Sequence, residues 1–123
     1  MLPLFDSHCH LDDPRFDEDR EALIAALPSR GVRFAVNCAS DIPSSRAGVA
    51  LAAAHAPIYA AVGIHPHEAQ SADEAAFAAL EALRREPKVV AVGEIGLDYH
   101  YDLSPRPVQR AIFARQIELA AAW

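Results

Sequence analysis

The chain contains 123 residues, of which 52% are hydrophobic and 23% are charged, and its formal net charge is −6 at pH 7. This length and composition suit one compact domain with an apolar core and exclude a mainly disordered chain. The acidic charge also excludes strong non-specific binding of nucleic acid, which depends on Lys and Arg displacing counterions from phosphates, so a nucleic-acid substrate would need bound metal and local cations.

Short apolar segments alternate with amphipathic segments along the chain, in the repeated order strand, helix. The predicted strands are residues 4–10, 32–39, 58–64 and 88–94. The first predicted helix has Asp17 as its N-cap and ends before Gly31. The next two helices are predicted at about 44–55 and 73–85. The last helix is predicted to have Ser104 as its N-cap and Pro105 in its first position.

The second, third and fourth strands are almost continuous runs of Val, Ala and Ile, which is typical of strands buried on both faces. Alternating strands and helices indicate a parallel sheet, either open and doubly wound or closed in a barrel. No glycine-rich phosphate loop follows the first strand, which removes the usual support for a nucleotide-binding open sheet, and the polar residues at the strand ends favour the barrel. Residues 1–123 are therefore expected to form one α/β domain, the N-terminal half of a TIM-type (β/α)8 barrel with four βα units.

Complete barrels typically contain about 250 residues, so we expect this chain to be a truncated part of a longer one. A half-barrel leaves its first and fourth strands as unpaired edges. Self-association of half-barrels through those edge strands is the alternative.

The first predicted strand carries Asp-Ser-His-Cys-His near its end, at residues 6–10. Alternate residues of a strand share a face, so His8 and His10 point the same way with Cα atoms roughly 7 Å apart, and two such imidazoles can bind one cation. Active sites of barrels lie at the carboxyl ends of the strands, which favours a metal site over polar residues at a strand exit. Asp6 shares this face, whereas Phe5 and Cys9 are on the face expected to pack under helices.

Further polar residues follow the third and fourth strands. Glu94 ends a buried strand, where an unpaired carboxylate is costly, so it is a candidate metal ligand that could bridge two ions, or else it hydrogen-bonds loop amides. The histidines after the third strand could bind a phosphate or a metal, or remain solvated. The candidate substrate contacts are His65, His67, Asp98 and Arg106.

The two cysteines, Cys9 and Cys38, form no CxxC pair and no disulfide framework. Asp6 interrupts the first apolar run too early for a signal peptide, and the longest apolar stretches are too short to span a membrane. We therefore expect a cytoplasmic protein without a membrane partner.

Four motifs in chain order resemble the TatD family of metal-dependent deoxyribonucleases. They are Asp6-Ser-His-Cys-His-Leu-Asp12, Gly63-Ile-His-Pro-His67, Gly93-Glu-Ile-Gly-Leu-Asp-Tyr99, and Ser104-Pro-Arg with Gln109. The resemblance implies a TIM-type barrel that cleaves phosphodiester bonds of nucleic acid with one or two divalent cations, and that His8, His10 and Glu94 are metal ligands. It also implies that two further histidines and a catalytic acid/base aspartate come from later strands, which this sequence does not contain.

Three functions follow from these patterns. The main hypothesis is hydrolysis of nucleic acid by water activated on Zn, Mn or Mg. The second is a metal-dependent amidohydrolase acting on C–N bonds, which is disfavoured because such enzymes often place a modified lysine where Glu94 lies, and the only lysine, Lys88, is at the other end of that strand. The third is a catalytically incomplete half-barrel fragment.

Overall fold

A parallel sheet of four strands forms the centre of the structure, a computed structural model that describes residues 2–123. The strands are β1 (Leu4–Cys9), β2 (Val32–Cys38), β3 (Ile58–Val62) and β4 (Val89–Val92). Each strand pairs in parallel with the next one in the chain, so the order across the sheet is β1-β2-β3-β4. Doubly wound sheets reverse their strand order at a switch point, so this unbroken order is that of a barrel wall.

A helix follows each strand. The helices are α1 (Arg20–Ala26), α2 (Ile42–Ala54), α3 (Glu74–Leu83) and α4 (Arg106–Ala122), and short 3-10 turns lie at Pro14–Phe16, Pro28–Arg30 and Pro66–Ser71. The predicted alternation of four strands with four helices is confirmed. No helix within residues 2–123 is long and apolar enough to cross a membrane.

The first helix begins later than predicted. Asp17 ends the 3-10 turn that starts at Pro14, and α1 begins only at Arg20. The Asp17 carboxylate accepts a hydrogen bond of 2.6 Å from the Arg20 guanidinium instead of capping a helix. The prediction of Asp17 as the N-cap was therefore wrong, because Pro14 forms a separate turn ahead of the helix.

The N-cap predicted for the last helix was also wrong. Helix α4 begins at Arg106, and Pro105 precedes it without a side-chain cap. The Ser104 hydroxyl is buried and instead joins two loops, accepting the Gln70 N–H at 3.1 Å and donating to the His67 carbonyl at 2.9 Å. A long-range contact thus replaces the local one that the sequence indicated.

Both ends of α2 are stabilised by hydrogen bonds. Asp41 caps its first turn, with Ser44 N–H at 2.8 Å from the Asp41 carboxylate and Asp41 N–H at 2.9 Å from the Ser44 hydroxyl. At the other end, the Lys88 ammonium donates to the carbonyls of Ala52 and His55, both at 2.6 Å. A cation suits this end because helix carbonyls lack partners there and carry partial negative charge.

Small and branched side chains fill the space between the sheet and the helices. Ile58 and Ala60 of β3 pack with Ala35 of β2 and with residues of α1 and α2. At the end of β3, Val62 and the nearby Ile64 pack against Phe77 and Leu80 of α3.

Phe5 lies on the helix-free face of the sheet, not on the helix-covered face predicted for it. Its ring contacts Phe34 edge-to-face with centroids 6.4 Å apart, and Phe34 contacts Tyr59 at 5.8 Å. Phe34 alternates with Ala35, which packs under the helices. The register of β1 against β2 shifts between Leu4 and Phe5 and again between Asp6 and Cys9, and such shifts move side chains to the other face.

Two glycines bring the ends of β3 and β4 into close backbone contact. A Cβ atom on Gly63 would lie 3.0–3.1 Å from backbone atoms of Gly93, whereas a Cβ atom on Gly93 would lie 3.6 Å from the Ala61 side chain. The Gly93 N–H also donates to the Val62 carbonyl at 3.0 Å, which holds the two segments together. Of these two glycines, only Gly63 lies where a side chain would crowd the neighbouring backbone.

We expect Gly63→Ala to lower the free energy of unfolding by about 1–3 kcal/mol, because its methyl group would push a hydrogen-bonded backbone away. Gly93→Ala is the matched control and should cost less, since its methyl group meets only ordinary van der Waals contact. Urea denaturation with comparison of midpoints and slopes measures both values. Equal losses in the two variants would contradict this steric explanation.

Candidate metal centre

The polar residues predicted from the strand ends converge at one rim of the sheet. His8 lies on β1 and His10 just beyond it, while Glu94 follows β4. Neighbouring strands are about 4.8 Å apart, so the outer strands of a flat four-stranded sheet would be roughly 14 Å apart. The His8 Nε2 atom is nevertheless 3.3 Å from the Glu94 Oε2 atom. The sheet therefore curls as a barrel wall does, and the curl brings its two edges' side chains together.

Three atoms form a triangle of the size that a metal ion requires. The Nε2 atoms of His8 and His10 are 3.2 Å apart, and Glu94 Oε2 lies 3.3 Å from the first and 3.8 Å from the second. A tetrahedral ion with bonds of about 2.1 Å keeps its ligand atoms roughly 3.4 Å apart. Two imidazoles and one carboxylate are also a ligand set found in catalytic zinc sites, where a fourth position stays open. The cluster fits a divalent cation.

The orientation of His10 directs a lone pair toward this triangle. Its Nδ1 atom lies 2.9 Å from the Cys38 carbonyl, which can only accept, so Nδ1 carries the hydrogen. In the neutral ring Nε2 is then an acceptor, and this atom faces His8 and Glu94. A hydrogen bond from the remote nitrogen to a carbonyl is the usual way in which proteins orient a metal-binding imidazole.

The side chains of Asp6 and Cys9, which also belong to the first motif, form hydrogen bonds with the backbone. Asp6 accepts the His8 N–H at 3.1 Å, and its pairing with Ala35 coincides with the register shift in β1. Burial raises the pKa of the Cys9 thiol to about 12, and the thiol donates to the Val36 carbonyl at 3.2 Å. A protonated thiol facing the sheet is not a metal ligand.

The backbone holds Glu94 in place. Its N–H donates to the Ala39 carbonyl at 2.7 Å, beyond the end of β2. One carboxylate oxygen, Oε2, faces the histidines of the first motif, and the other, Oε1, lies 3.6 Å from His65 Nε2. The alternative expectation was that Glu94 hydrogen-bonds the amides of a loop. Its carboxylate oxygens instead lie next to imidazoles.

His65 stands beside the triangle as a neutral donor. Its Nδ1 atom accepts the backbone N–H of His67 at 3.0 Å, so the hydrogen of the neutral ring is on Nε2. Burial lowers the pKa of His65, which favours this neutral form. The Nε2 atom is too far from Glu94, at 3.6 Å, for a good hydrogen bond and can donate to another acceptor in the cleft.

His67 is anchored by Asp98, which links the loops after β3 and β4. His67 Nε2 bonds to Asp98 Oδ2, and Asp98 Oδ1 accepts the backbone N–H groups of His100 and Tyr101 at 2.9 and 3.2 Å. The hydrogen bond from His67 is the main reason that the pKa of Asp98 falls to about 2. Both carboxylate oxygens are thus engaged within the protein, and Asp98 orders the rim.

Arg106, the remaining candidate, lies at the start of α4. Its guanidinium forms a two-point ion pair with Asp102, at 2.8 and 2.7 Å, and stacks over the Tyr99 ring at 4.4 Å. The ion pair raises the pKa of Arg106, so its charge is permanent. The structure therefore positions this cation at the rim but engages part of its charge.

Two buried glutamines of α4 hold the rim loops, and sequence reasoning assigned them no role. Gln116 Oε1 accepts the Ile64 N–H at 2.8 Å and its Nε2 donates to the Ile64 carbonyl at 3.0 Å. Gln109 binds the N–H and the carbonyl of Asp98 in the same way, at 2.8 and 3.0 Å. Residues seven apart share a helix face. An amide on the apolar stripe of a helix was the available signal.

An open cleft of about 670 Å³ lies beside His65, His67 and Glu94. Its lining includes His10, His65 and His67 and the carboxylates of Asp12, Asp13, Asp41, Glu68 and Glu94. Among the described residues that line it there is no Lys or Arg. A phosphate would be repelled by such a cleft unless a cation were bound in it.

The fold and this cluster define a class: half of a parallel α/β barrel with a cation-suited site at the carboxyl ends of its strands. The sequence model of the TatD related DNases matches residues 5–123. The chain belongs to this family. The predicted family resemblance and the predicted N-terminal half of a TIM-type barrel are confirmed.

Individual relatives agree with this assignment. The chain is 38% identical over 117 residues to the uncharacterized metal-dependent hydrolase YabD of Bacillus subtilis, covering 95% of this chain and 46% of that protein. It is 34% identical over 119 residues to the 3′-5′ ssDNA/RNA exonuclease TatD of Cronobacter turicensis, with coverages of 97% and 45%. The crystal structure of YjjV, a TatD homologue from Escherichia coli, superposes with a TM-score of 0.86 at 35% identity, with coverages of 95% and 46%. The chain thus spans about half the length of these relatives.

We expect Gln116→Leu to lower the free energy of unfolding by about 2–4 kcal/mol, because the Ile64 N–H and carbonyl would lose their partners while buried. Gln70→Leu is the matched control: this residue is exposed, and its change should stay within about 0.5 kcal/mol. Chemical denaturation measures both. If the Gln116 variant is as stable as the control, the double hydrogen bond does not stabilise the loop.

Proposed function

We propose that the protein is a metal-dependent phosphodiesterase of the TatD type that hydrolyses nucleic acid. His8, His10 and Glu94 hold the divalent cation, which is Zn, Mn or Mg. The observation that carries this proposal is the triangle of three ligand atoms, whose edges of 3.2, 3.3 and 3.8 Å match those around one tetrahedral ion. The relative named a 3′-5′ ssDNA/RNA exonuclease supports the substrate class.

A bound divalent cation supplies an activated water and neutralises charge on the phosphate oxygens. The residues of this chain do the rest of the positioning. The imidazoles of His8 and His10 would hold the ion, and the backbone carbonyl of Cys38 fixes the ring of His10. The second oxygen of Glu94 lies 3.6 Å from His65 Nε2, so the carboxylate would have an oxygen left for a second cation.

The substrate contacts surround this centre. His65 donates from Nε2 to a phosphate oxygen, in a cleft where its neutral form is favoured. His67 lies next to it, with ring centroids 4.2 Å apart, and Asp98 acts on the substrate through His67. Arg106 contributes positive charge at the outer rim.

The amidohydrolase alternative is weaker on geometric grounds. The position that would carry a modified lysine is occupied by Glu94. Lys88 lies at the opposite end of β4, where its ammonium binds the carbonyls at the end of α2. No other lysine occurs in the sequence.

A catalytically incomplete half-barrel that self-associates is the third candidate, and the exposed edge strands bear on it. The edge strands β1 and β4 carry exposed apolar side chains: Leu4, Phe5 and Val90 are 58%, 57% and 54% exposed. Pairing of these edges between two copies would cover them.

A cytoplasmic location belongs to the main proposal and is supported by the free thiols of Cys9 and Cys38.

We expect His8→Ala and Glu94→Gln each to weaken binding of Zn²⁺ or Mn²⁺ by more than about 100-fold, because the first removes a direct ligand and the second removes the negative charge of one. Isothermal titration calorimetry of the apo protein gives affinity and stoichiometry. His55→Ala is the matched control, because this histidine precedes β3 at the far end of the sheet and faces Glu21. If the His8 variant binds metal as tightly as that control, His8 is not a ligand.

The substrate class requires a separate measurement. A chelator should abolish hydrolysis of single-stranded DNA and RNA oligonucleotides, Mn²⁺ or Zn²⁺ should restore it, and Glu94→Gln should lower kcat/KM by about 1,000-fold. A cyclic amide assayed in parallel reports C–N hydrolysis. Turnover of the amide alone would overturn the phosphodiesterase proposal. Metal binding without turnover of either substrate, together with a dimer in sedimentation analysis, would favour the half-barrel candidate.

A further inference from the structure

The segment between β4 and α4 exposes an unusual set of large side chains. Within residues 97–105, here called the aromatic loop, Tyr101 and Leu103 are 65% and 63% exposed and Tyr99 is 39% exposed. The His100 ring packs edge-to-face on Tyr101, with centroids 4.5 Å apart. Exposed groups of apolar and aromatic side chains mark binding surfaces more often than ordinary surface does.

The aromatic loop is continuous with the candidate metal centre. The Tyr101 ring lies edge-to-face with His67 at a centroid distance of 5.8 Å and an angle of 90°. His67 in turn contacts His65, and His65 faces Glu94. Tyr101 therefore stands only two ring contacts away from the imidazole beside the metal ligands.

The loop is also held rigidly, although it is exposed. Asp98 accepts the backbone N–H groups of His100 and Tyr101, and the buried amide of Gln109 binds the carbonyls of Asp98 and Ser104 at 3.0 and 2.8 Å. Asp102, with a φ of 51°, is held by its ion pair with Arg106. A preorganised aromatic surface binds a ligand with little ordering cost.

A positive charge lies beside Tyr99 of the aromatic loop. The Arg110 guanidinium donates to the Tyr99 hydroxyl at 3.3 Å. In the described part of the chain, Arg110 has no carboxylate within ion-pairing distance, so its charge is unneutralised there. An exposed aromatic loop with an unneutralised guanidinium at one of its tyrosines is complementary to a nucleotide, which has a flat base and an anionic phosphate.

We propose that the aromatic loop binds a nucleotide of a single-stranded nucleic acid, with an unpaired base stacked on Tyr101 and a backbone phosphate on Arg110. This rests on the proposed function and specifies how its substrate is held. A base in a duplex does not expose its face, so the surface selects single strands. Stacking is indifferent to the sugar, and both DNA and RNA are accommodated.

The test compares variants of Tyr101 in the metal-loaded protein, by fluorescence anisotropy of labelled single-stranded DNA and RNA oligonucleotides whose phosphorothioate linkages resist hydrolysis. Tyr101→Ala should weaken binding about 5- to 150-fold, whereas Tyr101→Phe, which keeps the ring, should stay within about twofold. Ile117→Ala is the control for loss of an exposed apolar side chain outside the loop, because this residue of α4 is 48% exposed. Arg110→Ala should reduce the slope of log affinity against log salt by about 0.7.

An oligonucleotide with abasic residues near its 3′ end supplies the second comparison. It should bind the unsubstituted protein and Tyr101→Ala equally, because there is no base to stack. If Tyr101→Ala leaves binding unchanged while the protein hydrolyses oligonucleotides, the loop proposal fails and the proposed function stands. If ring-dependent binding occurs without any hydrolysis, the proposed function fails and the loop proposal stands. The absence of both overturns both.

Discussion

The approach of the Glu94 carboxylate to two imidazoles across the mouth of the sheet is the interaction on which the site depends. It joins the first strand to the fourth, and it exists only because the sheet curls. The Glu94 N–H to Ala39 carbonyl bond and the close contact of Gly63 with Gly93 hold the curl at this rim. A cation suits the result because the Nε2 atoms of two imidazoles and one carboxylate oxygen lie within 3.8 Å of one another.

Helix α4 holds the loops that follow β3 and β4 in place. Gln116 and Gln109 reach from one face of α4 to the loops that carry His65 and Asp98, and each amide satisfies both a backbone N–H and a carbonyl. Buried backbone groups without partners are costly, so these loops are stable only where the amides hold them. The same helix thus connects the loop after β3, which carries His65, with the aromatic loop after β4.

Period-based patterns were sufficient for the strands, for their parallel pairing and for the convergence of residues 8, 10 and 94. Those features depend on alternation and on which end of a strand a residue occupies, and both can be read from a single sequence. Features that depend on contacts between distant residues could not be read in this way. Ser104 resembles an N-cap locally but bridges to Gln70 and His67, and Phe5 changes face because β1 has register shifts. A glutamine in an apolar stripe likewise gives no sign of which backbone it will meet.

The acidity of the protein constrains how it can hold a polyanion. Its net charge is −6, and five carboxylates line the cleft. Attraction through counterion release, on which basic nucleic-acid-binding proteins rely, is therefore confined to a bound metal and a few arginines. Stacking on an aromatic face does not require opposite charge and selects an exposed base. An acidic rim with a metal-suited triangle and a rigid exposed tyrosine nearby is thus consistent with the proposed function: a bound cation and a few arginines would attract phosphates, and the exposed ring would hold a base.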